Sequence, residues 1–234
     1  MIQIDDVYQR VLVLANKEQR GYITPQEFNL FANQAQLEIF EQYFYDINQY
    51  NRTAGNETEY SDIVELIQEK IDVFRATASL GVAVGVGTLP VDLHKLGTVT
   101  RDGGTVEIDK VSPRDIPYIT SGSLTNPGLL DRNVYVTRYQ GANHIIEIHP
   151  QDNISINITY IKKPSKVAWG WTVIGEKAMY DPNVTKTFNF GLHASEETEL
   201  VYRILAMAGV AIKRQDTAQA GMGMVQSQIQ QEKQ

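Results

Sequence analysis

Cysteine is absent from all 234 residues, which excludes disulfides, thiolate metal ligands and a thiol nucleophile. Long apolar runs are missing as well: nothing approaches the ~20 consecutive apolar residues that a membrane-spanning helix needs. The opening Met-Ile-Gln-Ile-Asp-Asp has neither the basic nor the apolar region of a secretion signal, so synthesis in a cytoplasm is expected. Positive charge is scarce, with 21 Lys/Arg against 28 Asp/Glu and a net charge of −7. The shortfall is local. Residues 1–87 hold 6 Lys/Arg against 13 Asp/Glu, whereas residues 88–165 balance at 8 and 8 and residues 166–234 at 7 and 7. An acidic surface repels a phosphate backbone, which argues against tight nucleic-acid binding while allowing DNA to pass nearby.

Signatures of catalysis are missing too. Gly81, Gly85 and Gly87 are not followed by the Lys-Ser/Thr of a phosphate loop and open no helix after a strand, so they read as a hinge or bulge. Serines and aspartates are scattered without a nucleophile motif. His144, Glu147 and His149 lie on a strand pattern, where an odd separation sends His144 and His149 to opposite faces. Glu147 and His149 share a face, but two ligands make a poor zinc site. Asn16 to Glu27 imitates a calcium loop, yet Arg20 stands where an oxygen ligand belongs and Asn16 is uncharged. The alternative is a helix–turn–helix corner closed by Gly21. No enzyme activity, metal or cofactor is expected.

What is present is a layout. Hydrophobic content of 42% and charged content of 21% suit a globular chain long enough for one domain with an insertion, or for two domains. The fold class expected is α+β: N- and C-terminal helices forming a helical bundle, with an inserted antiparallel β-sandwich or small barrel. Residues 1–87 together with 194–234 form the helical part, and residues 88–193 form the β-rich insertion with an irregular connection. Residues 215–234 form a tail that orders on a partner.

The first helix is expected from Asp5 or Asp6 to Asn16, burying Val7, Val11, Leu12 and Leu14. Thr24-Pro25-Gln26-Glu27 starts a second: threonine caps, proline takes the first helical position, and Glu27 reaches back. Phe28, Phe31, Ala32, Ala35, Ile39 and Tyr43 recur at helical steps, and Leu30, Leu37, Phe40, Phe44 and Ile47 widen the apolar surface beyond one face. Such a helix needs cover on several sides, from its own domain or another subunit. After the polar loop Asn51–Glu59, a third helix from Ser61 turns Ile63, Leu66, Ile67 and Ile71 inward. Leu80–Gly87 reads as a flexible hinge.

Arg101-Asp102-Gly103-Gly104 marks a hairpin turn, and Ser112-Pro113-Arg114-Asp115 starts a short helical turn. Val134–Arg138, Ile145–His149 and Ile154–Ile161 are the clearest strands. Trp169-Gly170-Trp171 follows. The two rings either stack on a sugar or anchor a loop onto the sheet. A long irregular connection leads to Leu192, then Ser195-Glu196-Glu197 caps a final helix whose band is Leu200, Val201, Ile204, Leu205, Ala208, Ala211 and Ile212. Beyond Lys213-Arg214 the composition turns to Gln, Gly, Ala and Met, too poor in apolar residues to hold itself folded. Met222, Met224, Gln226, Gln228 and Ile229 are the candidate partner-binding residues: adaptable apolar groups among neutral polar ones, suited to a groove on another protein. The alternative is a frayed terminus.

The order of helices, β-rich insertion, long C-terminal helix and polar tail resembles the head-to-tail adaptor (ring or connector) proteins of short-tailed bacteriophages. Ile4–Val11, Asn16–Asn29 and Ile158-Thr159-Tyr160-Ile161-Lys162-Lys163-Pro164 with Trp169 are similar to segments of virion proteins of crAss-like phages. The resemblance implies a homo-oligomeric ring, commonly a dodecamer, beneath the portal protein. The tail would dock on the portal or a neighbouring subunit, and the β part would face other ring or tail proteins. DNA would pass through the lumen without specific binding, no membrane would be involved, and the chain would reside in the virion. Two readings from other classes compete: a carbohydrate-recognising module using Trp169 and Trp171, and a calcium-regulated protein using the loop at Asn16.

Overall fold

The structure, a computed structural model, describes residues 1–16, 23–52, 61–101, 106–122, 124–130, 132–183, 185–211 and 215–232. Its helices are α1 (Ile4–Asn16), α2 (Pro25–Arg52), α3 (Ser61–Asp72), α4 (Ile116–Ser121), α5 (Pro127–Leu130), α6 (Glu197–Ala211) and α7 (Gln215–Glu232). Its strands are β1 (Arg75–Val82), β2 (Val86–Thr88), β3 (Leu93–Arg101), β4 (Asp109–Lys110), β5 (Val134–Gln140), β6 (Asn143–His149), β7 (Ile154–Lys162), β8 (Trp171–Ile174) and β9 (Lys177–Tyr180). The class is mixed α+β. The chain divides into two units, residues 1–73 with 164–234, and residues 74–163. The boundaries therefore lie at 74 and 163 rather than at 88 and 193. Residues 74–87 join the β unit because β1 pairs along its whole length with β7.

In the helical unit, α2 begins as its sequence predicts. The Thr24 backbone N–H and hydroxyl donate to Glu27 Oε2 at 2.9 and 2.8 Å, and the Glu27 N–H donates back to Thr24 Oγ1 at 3.2 Å. These bonds satisfy donors that the first helical turn would otherwise leave orphaned. The start of α1 differs from expectation: Asn189 Oδ1 accepts from the Ile4 N–H at 3.1 Å, so the cap comes from a residue far along the chain. The inward stripe of α1 is accordingly Ile4, Val7, Tyr8, Val11 and Ala15, and Leu14 is exposed. These residues share a core with Phe28, Ala32, Ala35, Ile39 and Phe40 of α2 and with Leu200, Ile204 and Ala208 of α6. In α3 Ile71 is buried, but Leu66, expected inside, is exposed.

The C-terminal segment is not a structureless tail within the lone chain. It forms α7, which packs along α6. The contact is close because Gly221 is buried where a Cβ would fall 2.9 Å from the Ala206 Cβ and 3.0 Å from its backbone. Glycine costs helix propensity, and here it is needed for the approach of two backbones.

In the β unit, one sheet has the order β1-β7-β3 and another the order β2-β6-β5-β4, with antiparallel pairing except between β4 and β5. Neither sheet closes into a barrel, which removes the barrel from the two forms expected for the insertion. Val82, Val99, Ile156, Ile158 and Tyr160 from the first sheet join Tyr135, Ile146 and Ile148 from the second in one buried cluster. The alternation of β7 is as predicted: Ile156, Ile158 and Tyr160 are buried, and Ser155 is exposed.

The expected hinge at Leu80–Gly87 is instead β1, a tight turn and β2. Val84 and Gly85 hold positive φ of 51° and 76°. A Cβ on Gly85 would meet the Ile148 carbonyl oxygen at 2.8 Å, so the turn requires glycine there. The other surprise is β8–β9, an antiparallel hairpin where an irregular connection was expected. The loop at 53–59, the turn residues 102–104, Ile212, Lys213, Arg214 and the side chains of Ile63 and Ala211 lie outside the described residues.

Gly221→Val is expected to lever α7 off α6 at about 1–3 kcal/mol. Amide exchange across Gln215–Glu232 would accelerate, with exchange in the β unit unchanged. The capping box gives a second test. Hydrogen bonds from the Thr24 backbone, then from its hydroxyl, hold the Glu27 carboxyl below its ordinary pKa. A depressed pKa stabilises the fold above the ordinary value, and that contribution is lost as pH falls through the folded one. Glu27→Gln should therefore lower the urea midpoint at neutral pH, and the gap should close in acid below the ordinary carboxylate range.

Candidate functional site

Polar side chains on one face of α2 organise the helical unit. Asn29, Asn33 and Gln36, at helical positions i, i+4 and i+7, line up along the axis. Asn29 Oδ1 accepts from the Trp169 N–H at 2.7 Å, and its amide donates to the Trp169 carbonyl at 3.3 Å. Asn33 makes the same two-way pair with Val167, at 3.0 and 2.8 Å. Gln36, buried at 2% exposure, donates to the Ser165 carbonyl at 2.8 Å and accepts from the Gly191 N–H at 3.1 Å. Three amides thus bind the returning backbone as a neighbouring strand would. Trp169 is fastened further: its Nε1–H donates to Asp5 Oδ1 at 2.8 Å, and its ring lies 4.3 Å from that of Tyr8.

The opposite face of α2 opens onto a groove. Phe31 and Glu38 from α2, Arg203, Ala206 and Met207 from α6, and Met222, Val225 and Gln226 from α7 surround a cavity of about 620 Å³. Its lining is mainly apolar, and two flexible methionines let its shape adapt. At the rim, Arg203 is held by Glu199 four residues back, with its Nε 2.7 Å from the carboxylate, and by Gln42; Glu38 stands 3.6 Å away. This pairing keeps a nearly buried guanidinium compensated beside apolar walls.

A second cavity, of about 270 Å³, is lined by α2, α3, the start of α6 and Ile229. Lys70 enters it and pairs with the buried Glu196 at 2.7 Å. Ser195 donates its hydroxyl to Glu196 at 3.0 Å, and its N–H donates to His193 Nδ1 at 3.3 Å. Histidine, serine and carboxylate are in contact here, but in the order of a helix cap: the carboxylate holds the serine and the imidazole accepts from backbone.

Of the predicted partner-binding residues, the structure brings Met222 and Gln226 together in the groove. Ile229 faces the second cavity, Met224 is exposed away from both, and the Gln228 side chain lies outside the described residues. Val225, Phe31 and Met207 were missed. The excess apolar width of α2 was the signal for Phe31; nothing local marked the other two.

The tryptophan pair anchors its segment on the helices, not on the sheet. Trp169 is 2% exposed, so its ring is not presented to a sugar. His144 stacks on Tyr139 at 4.4 Å, while Glu147 pairs with Arg138 at 3.2 Å. Burial, then Lys110, lowers the His144 pKa. Among the described residues no group of three His, Asp or Glu could hold a metal ion. Of the calcium-like loop, residues 17–22 lie outside the described residues and Glu27 is committed to the Thr24 cap. No protein-family model matches this chain, and no curated protein matches it.

Asn33→Ala leaves the Val167 N–H and carbonyl without their partner, at an expected cost of about 1–3 kcal/mol. Asn33→Asp should be no better, because it keeps the acceptor but sets a carboxylate against a carbonyl oxygen. Urea unfolding of both variants checks the ranking.

Proposed function

We propose that this chain is a non-enzymatic structural subunit of a virion: a head-to-tail adaptor that joins a portal to a tail as a closed homo-oligomeric ring. In this reading the helical unit is a bundle, and the inserted β unit is a two-sheet sandwich facing other ring or tail proteins. The observation that carries it is the apolar groove between α2, α6 and α7, which is open in a single copy and large enough to take side chains from another chain. Further support comes from apolar residues left in solvent on the same unit, Val13 and Leu30 among them. Interfaces that are permanent in assemblies are large and apolar, so a subunit built for one looks incomplete alone. The likeness of the Ile4–Val11 and Asn16–Asn29 segments to crAss-like virion proteins supplies the virion context. The acidic residues 1–87 would line a lumen that DNA crosses without adhering.

The carbohydrate reading has less support, since Trp169 is spent on Asp5 and Tyr8. Another tail-assembly protein is the nearer rival. Reconstruction of the virus particle whose genome encodes this chain is the test. A ring of copies against the portal, with acids of the N-terminal helices toward the channel, is the expected result. Absence of the chain from the particle would overturn the adaptor reading, and acids facing outward would overturn the lumen assignment.

A further inference from the structure

We propose that the β8–β9 hairpin of one copy inserts into the α2–α6–α7 groove of the next. The proposal rests on the reading of this chain as a self-assembling subunit, and it adds which surface meets which.

The hairpin is the first half of the argument. An isolated two-stranded ribbon is marginal in water. This one carries Val173 and Ile174 at 64% and 65% exposure and Met179 at 52%, spread over both of its faces. Its turn holds Gly175 and Glu176 at positive φ of 56° and 66°, the second a residue disfavoured there. At its base, Trp171 and Tyr180 stack toward Trp169 with centroids 6.4 and 5.9 Å away. The stem is thus anchored and the tip is apolar and uncovered.

The groove is the second half. Its walls are apolar, and at its rim two carboxylates, Glu38 and Glu199, face the single guanidinium of Arg203, which leaves a net negative charge there. The hairpin tip carries Lys177, cross-strand from Ile174, so the cation arrives with the apolar side chain beside it. Glu176 also sits at the tip, and Gln226 offers it a neutral amide at the groove.

Placement makes the pairing propagate. The segment that bears the hairpin is strapped to the Asn29–Asn33–Gln36 face of α2, whereas Phe31 and Glu38 lie about 200° around the same helix. One rigid helix therefore presents plug and socket on opposite sides. A plug and socket that cannot meet within one contact of two-fold symmetry give head-to-tail assembly, which closes into a ring or runs on as a fibre.

The absence of cysteine makes the test direct. Full-length Ile174→Cys and Met222→Cys chains are mixed at high concentration under mild oxidation, alongside each variant alone. Mixed disulfide dimers are expected at least tenfold above either single variant's self-pairing, and the double variant should give a ladder of oligomers. In parallel, light scattering on Ile174→Asp should show loss of the oligomer, with far-ultraviolet circular dichroism unchanged because the position is exposed. Self-pairing of Ile174→Cys at the mixed rate would overturn the proposal. Oligomers that persist in Ile174→Asp without mixed disulfides would also overturn it, while leaving self-assembly intact. A parent chain that stays monomeric and yields no mixed disulfide overturns it as well; the adaptor reading is then judged by the particle reconstruction.

Discussion

Three side-chain amides on α2 do the work of a β-strand, and the helical unit depends on them. The chain leaves this unit at Val73 and returns at Pro164, so the returning backbone arrives with no sequence neighbour to pair with. Its N–H and C=O groups must still find partners if they are to be buried. Asn29, Asn33 and Gln36 supply both a donor and an acceptor each, from the separate oxygen and nitrogen of one planar amide, the same pair of groups that a backbone peptide offers. With that segment fixed, Trp169 reaches Asp5, Phe190 bridges to Ile2, and Asn189 caps α1. Remote parts of the chain thereby meet at one place.

The same helix explains why the unit looks unfinished. α2 spans 28 residues, and its amide face is filled by the returning segment. Its core face packs on α6, and Tyr8 of α1 meets Phe28 edge-on with ring centroids 4.6 Å apart. Phe31 and Leu30 fall outside both sectors. α7 narrows the gap over Phe31 by lying close on α6 at Gly221, but Met222 and Val225 then become walls rather than a lid. The proposed assembly follows from this arrangement, because the surface left over is apolar and adaptable.

The elements differ in how plainly the residues announced them. The start of α2 was legible because a capping box is a local device, complete within Thr24–Glu27. The face of β7 was legible because alternation has a period of two whatever lies opposite. The hairpin β8–β9 was not, since Gly175-Glu176 lacks the Asn-Gly or Asp-Gly signature and its strands are only 4 residues each. Leu80–Gly87 misled because glycine serves tight turns as well as hinges, and only the nearness of Ile148 distinguishes them. At the candidate site, composition pointed to Met222 and Gln226, which line the groove. Their partners on α2 and α6 are distant in sequence and carry no motif.

Helix and strand periodicity, the capping box of α2, the lack of thiol chemistry and the placement of acidic charge were all determined by the sequence by itself, because each depends on residues close together or on composition. Tertiary structure alone decided that the Gln-rich end becomes a helix, that a tryptophan becomes an anchor, and that eight side chains from three helices enclose a groove. The physical reason is range. A backbone amide or an apolar side chain accepts any suitable partner, and which partner it receives is settled only when the whole core competes for it.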